Sequence, residues 1–152
     1  MRISEEKLNW ENPVDGYEYK ILHTDGEREG DAQLIYKQVD DLPPDLQSVL
    51  LNQRLALNDK VAQLNKFYPN GSGLNEEKRE NMGRGVGTRV LQHLEIQAIN
   101  KGAKAIFVYT LKKSAQNFFQ KSGFQVFNNN YLYVKLLSEA RQLRVDENPS
   151  EW

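Results

Sequence analysis

Cysteine is absent from the 152 residues, which removes disulfide bonds, thiolate nucleophiles and cysteine-ligated metals from consideration. The compartment stays open on that ground alone, because a cysteine-free chain is tolerated in any redox environment. Histidine is nearly as scarce. His23 and His93 stand far apart and neither belongs to a short histidine–carboxylate metal motif, so a protein-bound metal is not expected. No run is long and apolar enough to cross a bilayer, and residues 1–10 are charged where a secretory signal would be apolar. A soluble, cytoplasmic chain with no membrane partner is the expectation. Neither sign of charge dominates, with 20 Lys and Arg against 21 Asp and Glu and a formal net charge of -1. Without a dense basic block, no nucleic-acid partner is predicted. The length favours one domain with a real core and little room for a second.

What the chain does have is Asn81-Met82-Gly83-Arg84-Gly85-Val86-Gly87-Thr88-Arg89-Val90-Leu91, three alternate glycines leading into an apolar-periodic run. Val86, Val90, Leu94 and Ala98 repeat every fourth residue, with Leu91 and Ile99 beside them, which predicts a helix ending at Lys101-Gly102. Alternate glycines let a ligand approach the backbone, and the amides of a helix's first turn lack internal partners, so this stretch predicts an anion-binding nest. No lysine follows the last glycine as in a nucleotide-binding loop, and Thr88 stands where a dinucleotide fingerprint needs its third glycine. A plain turn before a helix uses the same residues.

Around that centre the pattern is mixed. Residues 1–16 carry little periodicity and read as a loop or cap anchored by Trp10, while residues 17–22 and 32–39 read as antiparallel strands joined by a polar turn. Asp40 and Asp41 precede Pro43 and Pro44, where a turn is expected. Leu46, Leu50, Leu57, Val61, Leu64 and Tyr68 mark an apolar stripe, read as a helical insertion over 42–73, with a homodimer or protein partner expected on the 46–68 face. Residues 74–81 are polar and read as a flap. Residues 103–111 predict a strand buried on both faces, 115–122 a short helix stopping at Gly123, and 124–127 with 131–137 two closing antiparallel strands. Residues 138–152 read as a C-terminal helix or tail.

Two separated segments then resemble one family. Met82 to Thr88 is similar to the pyrophosphate loop of the GCN5-related N-acetyltransferase (GNAT) family, and Ser114-Ala115-Gln116-Asn117-Phe118-Phe119-Gln120-Lys121-Ser122-Gly123-Phe124 to its cofactor-side helix. The resemblance covers mainly residues 82–137. It implies an α/β fold with a mixed central sheet and flanking helices, here one GNAT-like domain over 1–137 with an abbreviated N-terminus and the insertion. It also implies acetyl-CoA as the donor, held through the backbone of Arg84, Gly85, Val86, Gly87 and Thr88 with Arg84 and Arg89 near the pyrophosphate. The implied chemistry is direct attack of a primary amine, on a small molecule or a protein, upon the acetyl carbonyl, with no covalent enzyme intermediate.

The departures are chemical. Met82 stands where the family commonly has Arg or Gln, Lys112 where it often has Asn, and Phe119 where a tyrosine often protonates the departing thiolate. Phenylalanine has no proton to give. The usual central strand before the glycine loop is missing from this reading, so residues 32–39 are assigned that role. Tyr36 and Tyr109 are candidate proton donors, His23, Glu29 and Asp31 candidate water-positioning bases, and His93 a residue that could face a site from the main helix. The catalytic residues stay open. A catalytically inactive CoA-binding regulatory or interaction subunit is the rival to an N-acetyltransferase.

Overall fold

The computed structural model describes residues 1–10, 14–24, 29–71, 85–127 and 131–137. Their elements are β1 (Arg2–Lys7), β2 (Gly16–Leu22), β3 (Glu29–Gln38), a 3-10 turn (Val39–Asp41), α1 (Pro44–Asn52), β4 (Lys60–Tyr68), α2 (Val86–Asn100), β5 (Ala105–Tyr109), α3 (Lys113–Lys121), β6 (Gln125–Phe127) and β7 (Leu132–Leu136). The seven strands form one mixed sheet in the order β1-β2-β3-β4-β5-β7-β6. Two compact units divide the chain, 1–36 with 64–96 and 37–63 with 97–152.

In the first unit β1, β2 and β3 make an antiparallel meander, Glu5 facing Tyr19 and Tyr19 facing Ala32. Alternation explains its inner face. Tyr19, Ile21, Ala32 and Leu34 are all fully buried, as a one-sided sheet requires. The Tyr19 hydroxyl donates to the Glu5 carboxylate at 2.8 Å, and its ring stands edge-on to His93 of α2 at 6.2 Å. On the opposite face Lys66 Nζ lies 2.9 Å from Glu18 and 3.5 Å from Asp31, tying β4 to β2 and β3. Gly30 is needed for close approach. A Cβ there would sit 2.7 Å from the Tyr68 carbonyl oxygen and closer still to that of Pro69.

In the second unit Val39, Leu42, Leu46, Leu50, Leu55 and Val61 pack with Ala105, Phe107, Leu132 and Val134 into one apolar core. Removing a leucine such as Leu50 from water contributes roughly 1.5–3 kcal/mol. The start of β4 runs parallel to β5, Ala62 with Ile106 and Gln63 with Phe107, while β7 pairs antiparallel with both β5 and β6. All three helices end alike. After α1, Arg54 N donates to Leu51 O at 3.0 Å and Leu55 N to Leu50 O at 3.1 Å. Gly102 to Ile99 with Ala103 to Ala98 repeats the pattern, and so does Gly123 to Gln120 with Phe124 to Phe119. This double bond through a left-handed residue satisfies the last helical carbonyls.

Four sequence expectations are corrected. Helix occupies only Pro44–Asn52 of the expected 42–73 insertion, and Lys60–Tyr68 is a strand. It is β4, next to β5 in the sheet, that fills the central place given to residues 32–39, which form β3. Val61 and Leu64 were assigned to a helical stripe because a spacing of three fits a helix turn. However, Val61, Ala62 and Leu64 are buried within a short β-rich run, and tertiary pairing decided its form. The docking stripe is thereby removed: Leu46, Leu50, Val61 and Leu64 are buried in the fold, leaving Leu57 and Tyr68 exposed. Residues 1–16 also contain an unexpected strand, β1, which lies at the end of the sheet and has five exposed positions out of six. The expected flap at 74–81 and the tail at 138–152 lie outside the described residues.

Candidate functional site

The helix start predicted from the glycines is present at Val86. Its side chain is buried at 4% exposure and anchors the first turn, while Gly87 is half-buried and Thr88 and Arg89 are exposed. Gly85 adopts φ +83° with no heavy atom within 4 Å of where a Cβ would stand. Its conformation rather than crowding therefore calls for glycine. Arg89 N donates to Gly85 O at 3.0 Å, so Gly85 closes the first helical bond. The following amides, on Val86, Gly87 and Thr88, belong to the turn that has no internal acceptor. No acidic residue occupies that turn, at the positive end of a 15-residue helix. Such a turn can hold a phosphate oxygen through the backbone. Four of the five predicted cofactor-binding residues, Gly85 to Thr88, are consecutive in this turn; Arg84 lies outside the described residues, as do Met82 and Gly83.

The second segment forms α3. Phe119 is 2% exposed, with ring centroids 5.2 Å from Phe118, 5.2 Å from Phe124 and 6.4 Å from Tyr133. It therefore acts as an apolar anchor of the helix end, and its ring carries no dissociable proton. At the other end of α3, Lys112 N donates to Thr110 Oγ1 at 3.2 Å and Gln116 Nε2 to Thr110 O at 3.1 Å, which fixes the turn out of β5. Beside this turn Tyr109, Thr110, Leu111, Lys112 and Tyr131 line an open cavity of about 620 Å³. Tyr109 is 43% exposed, and burial, then Tyr131, then Asp45 push its hydroxyl above its ordinary value, so it stays protonated at neutral pH.

The remaining sequence candidates lie in the first unit and are not gathered at one point. Tyr36 is buried beside Tyr17, its ring edge-on at 6.1 Å, and burial chiefly pushes its hydroxyl upward, with Glu5, Asp15 and Tyr17 adding to it. His23, 4% exposed, sets Nε2 2.8 Å from the Pro69 carbonyl oxygen. A carbonyl only accepts, so the imidazole donates and pins the end of β4. Asp31 belongs to the Lys66 ion pair, Glu29 is exposed at the start of β3, and His93 is half-buried against Tyr19. Lys66 and Glu18, which organise this face, were missed in the sequence. Their signal would have been a strand reading of residues 60–68, which places Lys66 on a sheet rather than a helix.

Residues 79–124 match the model of the Acetyltransferase (GNAT) family. Among solved structures the chain is similar to AtaT complexed with acetyl-methionyl-tRNAfMet, at 16% identity over 86% of this chain and 75% of that one, TM-score 0.54. The AtaT–AtaR complex bound to DNA gives 13% identity over 94% and 99%, TM-score 0.57. A tyrosine-to-phenylalanine variant of the AtaT toxin gives 17% identity over 84% and 71%, TM-score 0.55. Identities this low establish a common fold. No protein of curated function matches the sequence. No helix among the described residues is long and apolar enough to cross a membrane.

Proposed function

We propose that the chain transfers an acetyl group from acetyl-CoA to a primary amine by direct attack, in a cytoplasmic setting. The observation that carries this reading is Gly85, held at φ +83° with open space above it at a helix start whose first turn has no acidic residue. The backbone of Gly85, Val86, Gly87 and Thr88 would hold the pyrophosphate, with Arg84 and Arg89 contributing charge. In the transfer the neutral amine nitrogen bonds to the carbonyl carbon, the carbon–sulfur bond breaks, and the amine proton leaves as the thiolate takes one up. Water would return that proton where Phe119 has none.

The AtaT structure with acetyl-methionyl-tRNAfMet supports one acceptor class above others, the α-amine of an aminoacyl-tRNA. A small-molecule or protein amine is the alternative acceptor. Phe119 supports a second reading, a CoA-binding subunit without turnover, and the AtaT–AtaR complex supports a protein partner of that kind.

Isothermal titration with acetyl-CoA, followed by detection of free CoA thiol with an amine panel that includes aminoacyl-tRNA, separates these readings. Binding with amine-dependent thiol release is the expected result, and Gly85→Val should abolish the binding while the protein stays folded. Binding without release on any amine favours the second reading. Absence of binding by folded protein overturns both.

A further inference from the structure

We propose that the open cavity at the end of β5 is a nucleobase-stacking subsite for a single-stranded RNA end. This rests on the aminoacyl-tRNA reading of the acceptor and names the residues that would meet it. Three of the exposed large hydrophobic side chains meet in this cavity: Tyr109 at 43%, Tyr131 at 37% and Leu111 at 84% exposure. The two tyrosine rings stand 6.2 Å apart and are tilted by 32°, so neither fully covers the other's face. A space of about 620 Å³ takes a nucleoside and its sugar.

The polar groups of the lining narrow the ligand further. Thr110 is committed internally: its N donates to Tyr131 O at 2.9 Å, its O accepts from Gln116, and its Oγ1 accepts from the Lys112 amide. The side chains of the lining are therefore two phenol rings, an aliphatic chain and an ammonium, with hydroxyls as the only other side-chain polar groups. Aromatic faces accept any base, and a cation favours the phosphate that accompanies it. Lys112 is the charged residue of the lining and Lys113 follows it, both exposed, whereas the lining contains no carboxylate. Asp45 lies near enough to act on the Tyr109 hydroxyl, so two lysines stand here against one carboxylate. A stacking platform of this type binds RNA ends without strong base preference.

The test is fluorescence anisotropy with labelled hexamers of oligoadenylate and oligocytidylate RNA at low salt, read beside acetyl-CoA titration on the same samples. The wild-type protein should bind both hexamers. Tyr109→Ala and Tyr131→Ala should each weaken binding by about tenfold, the order expected for one lost stacking partner. Tyr109→Phe and Tyr131→Phe should retain it, because stacking does not need the hydroxyl. Lys112→Gln should weaken both hexamers alike and lower the salt slope by about 0.7. Acetyl-CoA binding should be unchanged throughout, and its loss would count against the donor site alone. Failure of the folded wild type to bind either hexamer, or alanine variants that bind as wild type does, would overturn the subsite. Binding of spermidine that disappears with Tyr109→Ala, without hexamer binding, would put a cationic amine there and overturn it too.

Discussion

Arg54 offers an internal control on the backbone energetics of this chain. It has φ +71° and is the one non-glycine with positive φ among the described residues, whereas the equivalent positions after α2 and α3 are Gly102 at +90° and Gly123 at +95°. The hydrogen-bond pattern is the same at all three ends, so the comparison isolates the side chain's effect on the backbone. An L-residue in the left-handed region costs about 1–2 kcal/mol. Glycine removes that cost but returns roughly 0.5–1 kcal/mol through the freedom it gives the unfolded chain. Arg54→Gly should therefore stabilise the protein by about 0.5–1 kcal/mol, raising Tm by roughly 1–4 °C for a chain of this size. Gly102→Ala, where no atom lies within 4 Å of the added Cβ, should lose about 0.5–1 kcal/mol by the same reasoning run backwards. Urea denaturation of the two variants, with unchanged m-values, reads both numbers. A destabilised Arg54→Gly, or a Gly102→Ala as stable as wild type, would refute the equivalence of the helix ends.

Other perturbations test the first unit. Gly30→Ala forces a methyl against the Tyr68 and Pro69 carbonyls, and because backbone cannot yield as a flexible side chain does, thermal denaturation should register a loss of about 1–3 kcal/mol. Burial works to raise the Glu18 carboxyl, but hydrogen bonds from Lys66 and Gln33 and the charges of Lys66 and Lys20 together hold it below its ordinary 4.5. A depressed carboxylate stabilises the fold above its unfolded pKa and loses that contribution as pH falls through the folded value. Lys66→Met should accordingly flatten the acid limb of the stability profile below pH about 4.5 and cost about 1–2 kcal/mol at neutral pH. Retention of the wild-type acid limb in that variant would exclude the pair as its source. Lys66 is itself shifted upward: burial works to lower it, but Glu18 and Asp31 outweigh that, so its own share of the stability fades only at strongly alkaline pH.

The sequence made the second half of the fold legible because each element there carries its own punctuation. Gly102 and Gly123 stop α2 and α3 at the expected places, and the apolar run over Ala105–Tyr109 is buried as expected apart from Tyr109. The same holds for β2 and β3, whose alternating residues face one core. β4 was illegible for a physical reason. Lys60–Tyr68 interleaves Gln63, Asn65 and Lys66 with its apolar residues, and the partners that make those positions polar, Gln33, Glu18 and Asp31, are distant in sequence. β1 was illegible because an edge strand with one half-buried side, Ile3, has no hydrophobic alternation to show. Of the site, the glycine turn could be read from residue type alone, since positive φ asks for glycine. The cavity at Tyr109 could not, because Tyr131 reaches it only through the β5–β7 pairing.

The charged edge formed by β1 bears on how this protein behaves at high concentration. A six-residue outer strand offers a row of backbone donors and acceptors to any passing strand, and a second copy is the most abundant candidate in a concentrated sample. Arg2, Ser4, Glu5, Glu6 and Lys7 are all exposed along it, so an approaching copy must strip water from charged groups before any ladder can close. Protection of the sheet edge thus lies in Arg2–Lys7, and removing that strand would uncover β2, with Tyr19 and Ile21 in it, as the new outer strand.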